Sequence, residues 1–132
     1  MKRLPPSLSE KVLASAHRSS LLPLVKKAKL LAPEGPTGNL VDSIGTERVT
    51  QARKGGVQAG PKRRGRFKGF AGHLVEFGTK ARTKKRGAST GKMTPKPFMA
   101  PAFEQTKDLV NDQIADNIGK SLFRLMKRTL KK

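Results

Sequence analysis

The hydrophobic pattern of this chain changes its period along the sequence. Leu13, Ala16, Ser20, Leu24, Ala28 and Leu31 recur at spacings of three and four, which predicts one face of an amphipathic helix running to about Ala32. Ser7-Leu8-Ser9-Glu10 supplies a capping box at its start: the Ser7 hydroxyl accepts from a helical amide and Glu10 reaches back to the Ser7 amide. Pro23 removes one backbone hydrogen bond, yet the apolar phase is the same on both sides, so one kinked helix is expected rather than two independent ones. Pro33, Gly35, Pro36 and Gly38 then stop it. Residues 43–50 predict a strand, Gly55-Gly56 a hairpin turn, and Val57 to Gly60 the returning strand. Further on, Leu74 and Glu76 alternate with Val75 and Phe77, which predicts another short strand stopped by Gly78.

Prolines at positions 95, 97 and 101 exclude a helix interior, so Lys96 to Ala100 is expected to be extended, with Pro101 opening a final helix that runs to about Leu130. Val110, Ile114, Ile118, Leu122 and Leu125 form its predicted buried face, with Phe103 at the start and Gly119 a weak point in the middle. Glu104, Asp108, Asp112 and Asp116 recur every fourth residue, while Arg124, Lys127, Arg128, Lys131 and Lys132 fill the end, an order that suits the helix dipole. Four acids on one stripe repel one another by a few tenths of a kcal/mol per pair. A facing basic surface reverses that sign, so the stripe is expected to meet a basic loop of a neighbouring subunit. The sum is an α+β fold in a single domain over residues 1–132: a long kinked N-terminal helix and a C-terminal helix packed on a small antiparallel sheet of three or four strands, with residues 1–6 a flexible leader.

Charge adds partners to this picture. The 132 residues carry 29 Lys and Arg against 9 Asp and Glu, a net +20, and residues 48–92 hold 14 of those bases with a single acid. A field of that size gathers polyanions, which makes DNA, RNA or a strongly acidic protein surface the expected neighbour. The contacts would come from Lys62, Arg63, Arg64, Arg66 and Lys68 in one loop (61–70) and Lys80, Arg82, Lys84, Lys85, Arg86 and Lys92 in another (79–93). Both are too polar and glycine-rich to offset their ordering entropy, so both are expected to be mobile until a partner orders them. There is no recognition-helix, zinc-finger or RNA-recognition signature, so any DNA contact should be with backbone phosphate, independent of sequence and sensitive to salt.

The chemistry sought in the chain is not found. Without cysteine there are no disulfides or thiolate metal sites, and the two histidines are His17 and His73. On a strand, His73 and Glu76 would point to opposite faces and share neither a metal nor a proton, leaving Glu76 as a strand-edge carboxylate for a nearby Lys or Arg. No nucleophile elbow, Walker loop, dinucleotide fingerprint or paired carboxylates occur, so no enzymatic activity and no cofactor are expected. Apolar runs such as Leu21 to Val25 are far too short to span a membrane, and Met1-Lys2-Arg3 is followed by Pro5-Pro6 rather than an apolar segment, as in a soluble, unexported protein.

Three blocks resemble a known family. They are Ala28 to Ser43-Ile44 with Thr37-Gly38-Asn39-Leu40 inside it, Gly72-His73-Leu74-Val75-Glu76-Phe77-Gly78-Thr79, and Pro97-Phe98-Met99-Ala100-Pro101-Ala102-Phe103. In this order they resemble the neck or tail-completion proteins of long-tailed double-stranded DNA bacteriophages, the gene-ten-product family of lambda-like phages. The resemblance implies two helices on an antiparallel sheet, no enzymatic activity, and a homo-oligomeric ring, hexameric by default, between head connector and tail tube. It implies head-closure (stopper), tail-terminator or tail-tube proteins as partners, with double-stranded DNA in the lumen. The location would be the virion, and the host cytoplasm during assembly. On that reading Gly38 and Gly78 permit turns, Pro97 and Pro101 fix the approach of the last helix, and Phe77, Phe98 and Phe103 anchor the core. The alternative is a small basic nucleic-acid-binding protein without sequence preference.

Overall fold

A computed structural model describes residues 6–49, 56–63, 65–67, 69–85 and 87–130, with the side chains of residues 6–9 and 129–130 outside the description. The chain opens with α1 (Pro6–Ser20) and α2 (Leu22–Leu31). They meet at Leu21, whose amide still donates to the His17 carbonyl and whose carbonyl accepts from Val25. Pro23 in the first turn of α2 has no amide to give to the preceding turn, and the helix bends there without unwinding. The expected kinked helix is what forms. Its buried face is Ala16, Ser20, Leu24, Ala28 and Ala32, while Leu31 is exposed. The buried positions keep a spacing of four across the kink, so Ala32 closes the face that Leu31 was expected to close. The Ser7 capping box falls on side chains outside the description.

Next come α3 (Asn39–Ser43), β1 (Ile44–Arg48) and β2 (Val57–Pro61). Gly38, at φ 63°, takes the left-handed conformation that turns the chain into α3, which holds Ser43, the first residue of the expected strand. The two strands pair antiparallel from Ile44 opposite Pro61 to Arg48 opposite Val57. Gly55 of the expected turn lies outside the described residues.

Among the described residues the sheet holds two strands rather than three or four, because the Leu74 to Phe77 segment is not a strand. A 3₁₀ turn (Gly69–Ala71) runs directly into α4 (Gly72–Phe77). Two glycines explain how this corner fits. A Cβ on Gly69 would collide with Ser43 and Pro61, and one on Gly72 would lie 2.7 Å from the Pro61 side chain. The alternation over Leu74 to Phe77 spans only one helical turn, too short to distinguish the two periods, and Gly78 ends a helix as readily as a strand.

The last helix, α5 (Met99–Leu130), is 32 residues long, or about 48 Å. It packs along α1 and α2. Phe98, Leu24, Ala28, Ala32, Ile44, Ala102 and Val110 make the central core, where three alanines let α2 and α5 approach closely and Phe98 fills the space at 0% exposure. Ile114 and Ile118 are half-buried and Leu125 is buried as expected, but Leu122 and Phe103 are exposed. Thr106 and Asn117 hold positions on the buried side instead. Asn117 donates to the Ser20 hydroxyl at 3.0 Å, and Ser20 donates to the Ala16 carbonyl. This partly buried link pins the kink to the middle of α5, and among the described residues no buried side-chain N or O atom lacks a hydrogen-bond partner. Among the described residues no helix is long and apolar enough to cross a membrane.

Candidate partner-binding surfaces

The N-terminus of α5 is closed from outside the helix. Phe98 stands at the capping position and its carbonyl accepts from Ala102, but a phenylalanine has no side-chain acceptor for the free amides of the first turn. Glu76 supplies one. Its Oε2 accepts from the amides of Phe98 (2.8 Å) and Met99 (3.0 Å), and its Oε1 from that of Ala100 (3.0 Å). The fourth amide does not exist, because the next residue is Pro101. Every orphan donor of the helix is thus satisfied, and α5 starts two residues before Pro101 rather than at it. Met99 and Ala100, expected to be extended, are helical for this reason.

Glu76 is 8% exposed. Burial on its own would raise its pKa, but the amides of Met99, Phe98 and Ala100 together outweigh that and hold the carboxyl below its ordinary value. Among the described residues it pairs with no Lys or Arg, contrary to the expectation for a strand edge. His73, one turn earlier on the same helix rather than on an opposite face, is exposed, with Nδ1 2.8 Å from the Phe70 carbonyl. Among the described residues no three His, Asp or Glu side chains gather as metal ligands.

Around this lock the chain is tied twice more. The Lys96 amide donates to the Val75 carbonyl, and Thr79 and Met93 pair through the Thr79 amide and hydroxyl. Gly78 lies between them at φ 71° and ψ −173°, a region open essentially to glycine alone, and a Cβ there would meet the Met93 carbonyl oxygen at 2.7 Å. Gly78→Ala is therefore expected to cost about 2 kcal/mol of stability by urea denaturation. An unchanged midpoint would contradict this geometry.

Beside Glu76 an apolar groove of about 590 Å³ opens to solvent. Phe70, Phe77 and Phe103 stand around it, Met99 lies along it, and Arg63 and His73 bring polar atoms to its wall. Phe77, 78% exposed, and Phe103, half-exposed, do not anchor the core; of the three aromatics expected there, Phe98 alone does. On a helix, burying Glu76 over the α5 terminus turns Phe77 outward.

The basic segments differ from one another. The described part of residues 79–93 folds back as a hairpin arm, with bridges between Thr79 and Met93 and between Thr83 and Ser89. At its tip the Lys84 amide donates to Ala88 and the Gly87 amide returns to Lys84, with Gly87 left-handed at φ 81°. Lys80, Arg82, Lys84, Lys85 and Lys92 are all exposed on this arm. In the other segment the Gly69 amide donates to the Lys62 carbonyl and closes the loop, Arg66 stacks 5.6 Å from the Phe67 ring, and Arg63 turns to the groove. Arg64, Lys68 and Arg86 lie outside the described residues.

Comparison with protein-family models, curated proteins and solved structures gives no match.

The acidic stripe is exposed throughout, and two of its members are paired within α5: Glu104 with Lys107 and Asp116 with Lys120, each at 2.7 Å. Thr37 is exposed in the turn before α3, Leu40 packs at the edge of the core beside Gly72, and Pro97 is exposed ahead of α5. The structure thus joins Val75, Glu76, Gly78, Thr79, Phe98 and Pro101 in one lock and leaves Thr37 and the basic positions outside it. Sequence reasoning missed the cap and the groove. One signal for the cap was present: a helix opening Pro-Phe-Met-Ala-Pro, without Ser, Thr, Asp or Asn, needs an acceptor from elsewhere.

Proposed function

We propose that this chain is a non-enzymatic structural protein of a phage neck or tail, forming a homo-oligomeric ring that completes the tail or joins it to the DNA-filled head. The observation that carries the reading is the lock. The two blocks that most resemble the neck family are separated in sequence by the whole basic arm, yet Glu76 of one binds the amides of the other, at Phe98, Met99 and Ala100. Their co-occurrence therefore has a physical reason: they make one device that fixes the α5 terminus, the groove and the root of the arm relative to one another. A rigid body that displays an exposed apolar groove, an acidic helix stripe and a cationic arm suits repeated protein contacts around a ring. The stripe would meet a basic surface of the neighbouring subunit. The arm would reach DNA backbone in the lumen or an acidic face of a stopper, terminator or tube protein.

Electron microscopy of particles from a phage whose copy of this gene carries an early stop codon tests the reading. The expected result is DNA-filled heads and separate tails of finished length that fail to join. Intact, infectious virions would overturn it and bring forward a nucleic-acid-binding role for the exposed arm.

A further inference from the structure

α5 carries exposed apolar surface at both of its ends. At the N-terminal end Phe103 stands in the groove wall with Phe70 and Phe77. Toward the C-terminal end Leu122 and Phe123 are exposed on a convex helix surface, with Lys127 4.9 Å over the Phe123 ring. Twenty residues of continuous helix hold Phe103 and Phe123 about 30 Å apart, so one molecule cannot fold its stripe into its own groove. A concave and a convex apolar surface, fixed apart on one rigid element, are the two halves of a head-to-tail contact.

We propose that the Leu122–Phe123 stripe of one copy seats in the Phe70, Phe77 and Phe103 groove of a second copy. The inference rests on the ring reading above and names its contact. Charge selects a second copy as the occupant. In a chain of net +20, like molecules repel except where acids gather, and four of the nine acids lie on α5 between residues 104 and 116. Glu104 directly follows groove-lining Phe103 and Asp108 lies one turn on, while Arg124, Lys127 and Arg128 surround the stripe. Seating the stripe brings those bases to the neighbour's acids. Among the described residues, Arg63 in the groove wall and Lys107 beside Glu104 are positive groups the incoming helix must pass, and His73 adds a polar ring to the wall. A groove-to-groove contact would instead set Arg63 against Arg63 and leave both stripes exposed. The head-to-tail arrangement covers one groove and one stripe with each contact, and in a closed ring every copy has both covered.

Sedimentation velocity and native mass spectrometry on the full chain decide the question, using the wild type, Leu122→Ser/Phe123→Asp (stripe lost) and Phe70→Ser/Phe103→Asp (groove lost). The altered side chains are exposed, and circular dichroism checks folding; a variant that fails this check is replaced by Phe123→Ser or Phe103→Ser alone. The wild type is expected to self-associate, and each variant to do so on the order of a hundredfold more weakly. The decisive sample is the mixture. Each variant keeps the half the other has lost, so the two together should form a one-to-one heterodimer and nothing larger. Wild-type rings that survive both variants, or a mixture that yields no heterodimer, would overturn this contact and leave the ring reading standing. A wild type that stays monomeric would overturn self-docking and leave the groove to a different protein, while the stop-codon phage reports separately on the neck role.

Discussion

Glu76→Gln is expected to lower the unfolding free energy by about 3 kcal/mol, since it removes charge-assisted hydrogen bonds to three amides, one buried and two partly buried. A carboxylate accepts at both oxygens. Glutamine offers one carbonyl and turns its own amide donors toward the N–H groups it should receive. The first turn of α5 should then fray, and amide exchange at Phe98, Met99 and Ala100 should speed up in the variant. The effect also has a pH signature. The folded carboxyl titrates below its ordinary value, so its contribution is complete above the unfolded pKa of about 4.3 and is lost as pH falls through the lowered folded value. Wild type and variant should therefore differ most near neutrality and converge in acid. Urea denaturation of both proteins from neutral to acid pH measures this, and a gap that stayed constant with pH would rule out the carboxylate cap as its source.

Phe98→Ala should be at least as damaging, costing about 4 kcal/mol. The ring is completely buried, and the residues beside it include Ala28, Ala32 and Ala102, which are too short to collapse into the space it would leave. For a domain whose total stability is of order 5–15 kcal/mol, that loss is a large fraction, corresponding to a fall in melting temperature of roughly 15 °C. The amide of Phe98 is also one of the three that Glu76 binds, so loss of packing loosens the cap as well. Thermal unfolding followed by circular dichroism tests it. A loss under about 1 kcal/mol would mean that the α2–α5 contact does not depend on this ring.

Both substitutions strike at the junction where local pattern and final structure part. The long helices, the bend at Pro23 and the antiparallel pair around residues 44–61 follow from local rules, because periodicity, proline geometry and turn residues act within a few positions of one another. The concentration of positive charge is likewise plain in the sequence, as is the acid-then-base order along the last helix.

The segment from Gly72 to Phe77 was decided elsewhere. One turn of alternating residues satisfies either backbone, and the contacts that select the helix come from remote positions: Pro61, Ser43 and Leu40, which leave no room for a Cβ at Gly69 or Gly72, and the bare amides of α5, which need an acceptor. That choice of backbone also settled which aromatics pack. Turning Glu76 inward brought Phe98 into the core and sent Phe77 to the surface, which, with Phe70 and Phe103, made the groove. Periodicity can predict that a helix has an apolar face; whether a particular side chain is covered depends on what stands opposite it, and only tertiary structure brings a carboxylate to an amide twenty-two residues away.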